Sequence, residues 1–89
     1  MYHVVAEKVG LRIVVATWMP EQRDEWHSHP VMAVYWLTDC DARVYTPDGK
    51  SVDSKRTMGQ AGVQEPIESH SFQNLSSSAE CKALMVEKE

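Results

Sequence analysis

Three histidines carry most of the chemistry this chain can offer. His27 and His29 are separated by one residue. Side chains alternate faces along an extended strand, so an HxH pair presents both imidazoles on the same side. Two imidazoles held on one face can ligate a single ion at about 2.0–2.1 Å, and imidazole is the commonest metal ligand near neutral pH. Trp26 and Pro30 flank the pair, and both are stiff and bulky, which suits a preorganised pocket. Alone, an HxH pair equally fits two surface histidines on a loop or strand end. A third histidine, His70, follows His29 by 41 residues and opens a segment that ends at Asn74. Only a closed sheet would bring it opposite the first two.

The order of these residues resembles the small single-domain cupins. HSHP, an apolar strand ending in YWLT, a TPDGK hairpin, a glycine-flanked turn and then PIESHSFQN follow one another as the paired-histidine motif and the proline, histidine and asparagine motif do in that superfamily. The resemblance runs from about Leu11 to the end of the chain. It implies an all-β fold, a small cupin-type barrel of the jelly-roll or double-stranded β-helix kind, with His27, His29 and His70 as metal ligands. Two departures matter. Met32, Ala33 and Val34 stand where the usual glutamate ligand would be, and Glu68 lies near the place of the glycine between Pro66 and His70. A three-histidine site remains. Such sites occur among cupins that are non-haem iron dioxygenases, and the missing glutamate also fits a site that binds metal weakly. The expected cofactor is one divalent ion: iron, zinc, nickel or manganese.

For a fourth ligand the candidates are water, Gln64 and Glu68, with water favoured because a working metal keeps an open position. Glu68 also fits a solvated loop carboxylate. Tyr35, Trp36 and Phe72 sit on strands that carry or follow the histidines, and Phe72 shares the parity of His70. They read as core aromatics, or as one wall of a ligand cavity lined by Tyr35, Gln64, Glu68 and Phe72. His3 reads as an exposed strand residue. Cys40 and Cys81 form no CxxC pair and read as two buried or half-buried free thiols.

Strand periodicity surrounds these residues almost throughout. Segments 11–19, 31–38, 42–46, 50–53, 69–74 and 80–87 are rich in β-branched and aromatic residues or alternate in polarity, and turn residues separate them. Pro20 stops the first segment, and Pro47-Asp48-Gly49 is strong hairpin chemistry. Segment 31–38 is almost unbroken in its apolarity, as in a strand covered on both faces. Gly59 and Gly62 bracket an expected turn. No long window shows a capped helical stripe.

The whole chain has 89 residues and a net charge of -4. That length allows one domain, residues 1–89, with a thin core for which a bound metal or a partner subunit is a usual supplement. The nine scattered Lys and Arg form no basic stripe, so no nucleic-acid partner is expected. No apolar run approaches the ~20 residues of a spanning helix, so no membrane partner is expected either, and with no visible secretory signal the default location is cytoplasmic. The expected partner is a small-molecule ligand or substrate. Three function classes fit: a metal-dependent oxygenase of the three-histidine dioxygenase kind, a non-catalytic module binding a metal or small ligand, and an isomerase or hydrolase that works through a metal-bound water. Segment 2–9 has strand character without an evident hairpin partner, and pairing it with a second copy predicts a homodimer.

Overall fold

The computed structural model, which describes residues 1–89, contains nine strands in two antiparallel sheets and no helix. The strands are β1 (Tyr2–Lys8), β2 (Leu11–Trp18), β3 (His27–His29), β4 (Met32–Trp36), β5 (Cys40–Tyr45), β6 (Ser51–Arg56), β7 (Ala61–Gln64), β8 (Ile67–Asn74) and β9 (Cys81–Lys88). One sheet runs β1-β2-β9-β4-β7 and the other β3-β8-β5-β6. The chain crosses between them repeatedly, so residues far apart in sequence meet inside. Alternation decides what enters the core: Val14, Ala16 and Trp18 from β2 face Ala83 and Met85 from β9, with Met32 and Trp36 from β4 and Phe72 and Ala42 from the second sheet. Ala16, Ala42 and Ala83 are fully covered. Their small side chains leave room for the rings of Trp18, Trp36 and Phe72, whose centroids lie 4.5–6.1 Å apart.

The turns follow backbone chemistry. Gly49, at φ 84°, closes the β5–β6 hairpin, and the Thr46 amide donates to the Lys50 carbonyl across it. The β1–β2 connection is less expected. Segment 2–9 does have a partner in its own chain: β1 pairs with β2 from Tyr2↔Ala16 to Lys8↔Leu11. Only Val9 and Gly10 lie between the strands, with φ of 49° and 77°. Two successive positive φ values are the mark of the tight hairpin turn whose twist matches the strands. The unpaired N-terminal segment on which the homodimer expectation rested is therefore corrected.

Three further expectations change. Residues 61–64 form β7, which pairs with β4, where a turn was expected. Strand β4 is covered on one face only: Met32 and Trp36 are buried, whereas Tyr35 is 47% exposed on the outer face. The cysteines are not free thiols. Cys40 opens β5, Cys81 opens β9, and a disulfide joins them across the two sheets. Their 41-residue separation in sequence gives no sign of this; crossing the chain between sheets brings their Cα atoms to 5.3 Å, within the range a disulfide requires. Such bonds persist in oxidising surroundings. No helix of the protein is long and apolar enough to cross a membrane.

Candidate metal centre

Strands β3 and β8 bring the three histidines together. His27 lies directly opposite His70, and His29 opposite Ile67. Two residues of β3 thus span three of β8, so β8 carries one extra residue at Glu68 and Ser69. This irregularity keeps His70 facing inward while breaking the parity that would have put Glu68 beside it. The imidazole centroids are 4.6 Å apart for His27–His29 and His27–His70 and 5.2 Å for His29–His70. Their ligating atoms all lie within 4.8 Å of one another. Three atoms so placed fall within about 2.8 Å of a common centre, so an inward adjustment of about 0.7 Å each brings them to the ~2.1 Å of a metal–imidazole bond.

Partners in the surrounding shell fix which nitrogens point to that centre. The His27 Nδ1 is 2.7 Å from the Glu25 carbonyl and the His29 Nδ1 is 3.0 Å from Glu87 Oε2. Each contact holds a proton on Nδ1 and leaves Nε2 to ligate. Glu87 is itself paired with Arg12 through Oε1 at 3.2 Å. His70 Nε2 is buried and has no hydrogen-bond partner. An orphaned polar atom of this kind costs about 1–3 kcal/mol, and an ion between the three rings would satisfy it. Burial, then the charges of His27 and His29 when protonated, lower the His70 pKa to about 4, against a weaker opposing pull from Asp24. His70 therefore keeps the neutral form that metal binding needs. The donor set fits a divalent ion.

Two acidic groups and one phenol complete the surroundings. Asp24, 6% exposed, accepts hydrogen bonds from the Tyr2 hydroxyl at 2.6 Å, the Trp18 indole at 3.0 Å and the Phe72 amide at 2.7 Å. The Tyr2 hydroxyl is also 3.2 Å from His27 Nε2. Burial raises the Tyr2 pKa, and its hydrogen bond to Asp24 and the charges of Asp24 and Glu87 add to the effect, so the phenol stays protonated. Sequence reasoning missed Tyr2, Asp24 and Glu87. Only Glu87 left a signal: it shares the inward parity of Cys81, Ala83 and Met85 on β9, and a carboxylate at such a position asks for a partner.

A cavity of about 410 Å³ extends from the histidines, a size suited to a small organic molecule. Its walls include Trp18, Met32, Val34, Trp36, Phe72 and Met85. Phe72 and Gln64 line it. Tyr35 and Glu68 do not. Tyr35 points to the outer face because it alternates with the buried Trp36, and Glu68 is exposed at the β8 irregularity. Met32 and Val34, near where a cupin glutamate ligand would stand, form apolar wall. Asn74 is fully buried, and its amide donates to the carbonyls of Trp18, Met19 and Ala79, a tether for the loop at that end. His3 is exposed on β1.

Solved structures share this architecture. A cupin domain from Bordetella pertussis Tohama I is 22% identical over 100% of this chain and 92% of its own, with a TM-score of 0.89. An RmlC-like cupin protein from Desulfovibrio desulfuricans is 18% identical over 99% and 80%, at 0.69. A double-stranded β-helix protein from Klebsiella pneumoniae is 19% identical over 99% and 76%, at 0.71. No family profile and no curated protein sequence matches the chain. The strand order, the crossing between two sheets and these whole-chain likenesses together show that this protein has the cupin fold, a double-stranded β-helix.

Proposed function

We propose that the protein is a small metal-dependent cupin of the three-histidine dioxygenase kind, which takes a small organic substrate into its cavity. The observation that carries the reading is the buried, unpartnered His70 Nε2 facing His27 and His29 at one end of an apolar cavity. When bound, a divalent ion supplies Lewis acidity and open coordination positions, and iron adds redox chemistry. The chain's own residues orient the ligands through Glu25 and Glu87, exclude water with Trp18, Trp36 and Phe72, and hold a protonated phenol at the rim of the cluster through Asp24. Both carboxylates near the histidines are engaged, Asp24 by three donors and Glu87 by His29 and Arg12. Neither is free as a strong base, which supports chemistry that does not need one. The same fact supports the second reading, a non-catalytic module that binds a metal and a small ligand.

Metal analysis of protein purified without a histidine tag, followed by melting with and without a chelator, tests the reading. A metal bound only by the folded state adds RT ln(1 + [L]/Kd), about 2.7 kcal/mol at a hundredfold excess over Kd. One equivalent of metal, with a melting point that falls on chelation, is expected. Titrated protein that takes up no divalent ion would overturn it. Oxygen uptake by the iron-loaded protein then separates the two readings.

A homodimer remains our proposal on a different footing. Ala33, Tyr35, Val63, Leu84 and Val86 line an apolar groove on the outer face of the five-stranded sheet. Segment 31–38 is apolar on both faces, yet one chain covers only the inner one, and a second copy seated on the outer face would cover the other. Light scattering should give twice 10.1 kDa, shifting toward monomer in Val63→Glu; a monomeric parent protein would refute it.

A further inference from the structure

Arg56, the last residue of β6, lines the same cavity as His29 and His70. It differs from the other three arginines. Arg12 pairs with Glu87, Arg43 with Asp53, and the Arg23 Nε donates to Ser71 Oγ. The Arg56 Nε is buried without a hydrogen-bond partner, and its guanidinium carbon lies 5.8 Å from the centroid of the Trp36 ring. Contact with an aromatic face steadies the group but does not satisfy its N–H donors. Glu65 is the one carboxylate along the cavity wall, it is exposed, and no ion pair joins it to Arg56.

The cavity therefore has two polar ends. Met32 lies opposite Glu87, the partner of His29, and Trp36 lies beneath Arg56; the four-residue step between them on β4 spans roughly 13 Å. Trp18, Val34, Trp36, Val44 and Phe72 make the stretch between apolar. Strands β6 and β7 are outer strands of their sheets and share no ladder, and every residue of β7 is exposed, so the cavity opens beside Arg56. A planar guanidinium with free donors at the mouth of an apolar pocket matches a carboxylate, which accepts two parallel N–H bonds from it.

We propose that Arg56 is an anion-anchoring subsite, and that the cavity takes a small organic acid with an apolar or aromatic body. The carboxylate meets Arg56, the body lies against Trp36 and Phe72, and the far end points to the three histidines. This rests on the cavity being a ligand site, as proposed above, and it names the class of molecule that enters.

The test is calorimetric titration of 3-phenylpropanoate and its neutral isostere 3-phenylpropanamide into metal-free and zinc-loaded protein. The acid should bind about 10- to 100-fold more tightly than the amide, the range of a charge-assisted hydrogen-bonded pair. That preference should hold without metal, collapse to near parity in Arg56→Gln, and recover in part in Arg56→Lys, which keeps the charge and loses the fork. Acid and amide binding alike, or neither binding, would overturn the proposal while zinc uptake, read in the same titrations, leaves the metal reading standing. A preference that disappears with the metal and ignores Arg56→Gln would place the carboxylate on the ion and also overturn it. Unchanged melting of both variants establishes that the fold is intact.

Discussion

Replacing Glu87 by glutamine separates the role of the outer shell from that of the histidines. Glu87 points inward from β9 with its side chain 8% exposed, one oxygen 3.0 Å from His29 Nδ1 and the other 3.2 Å from the Arg12 guanidinium. Both neighbours are donors, so a carboxylate serves both and an amide serves one. The amide NH₂ must face either His29 or Arg12, and Arg12, 37% exposed, turns to water at little cost. The remaining bond to His29 is then neutral, so the ring is held less firmly and loses some basicity. Outer-shell replacements of this kind lower metal affinity about 10- to 100-fold, or roughly 1.4–2.7 kcal/mol. The accompanying loss of the Arg12 pair should cost the metal-free fold no more than about 1 kcal/mol. Competition against a chromophoric chelator, for zinc in parent and Glu87→Gln protein, measures the first quantity, and denaturant unfolding of the metal-free forms measures the second. Arg12→Gln, which leaves the bond to His29 in place, should stay within about threefold of the parent affinity. If Glu87→Gln binds zinc as tightly as the parent, the orientation of His29 by Glu87 has no bearing on the metal and the reasoning is wrong.

Reducing the Cys40–Cys81 disulfide reopens a 41-residue loop, for which the chain-entropy relation gives about 4 kcal/mol. Melting with a reductant present should fall by roughly 15–30 °C, and a change under about 5 °C would show that the bond contributes little. Val9 holds φ of 49° in the β1–β2 turn, where a β-branched residue is strained and asparagine is at home; Val9→Asn should raise the melting point by several degrees, by about 1 kcal/mol, and a lowered one would refute the turn assignment. The His70 pKa is depressed in the folded state to about 4 from an ordinary 6.5, so between those values the unfolded chain binds more protons there. The stability contributed by neutral His70 is complete above pH 6.5 and lost as pH falls toward 4; unfolding of metal-free His70→Gln should lack that part of the pH dependence, and an unaltered profile would refute it.

The type of element and the histidine cluster were legible from sequence because both rest on short-range geometry. Alternation in 11–19 and 80–87 marks strands whichever partner they find, and HxH puts His27 and His29 on one side of any strand. The hairpin at Pro47-Asp48-Gly49 was equally plain, since its residues carry the backbone angles they need. The β1–β2 hairpin was not, because its turn is Val9-Gly10: a β-branched residue does not advertise a positive φ, and pairing with β2 imposes it. Glu68 shared the strand parity of His70 until the extra residue in β8 broke it, and such an irregularity comes from the pairing of β3 with β8. Tyr35 looked like cavity wall because segment 31–38 is apolar throughout, and apolarity alone does not say which face is inside. The remaining features depend on the crossings between sheets. They bring Cys40 to Cys81, set Glu87 behind His29 and Tyr2 beside His27, and leave Arg56 in the cavity without a carboxylate partner. Local sequence determines a strand and its two faces; which faces meet is decided where the packing of distant strands has its lowest free energy, and that information is spread over the whole chain.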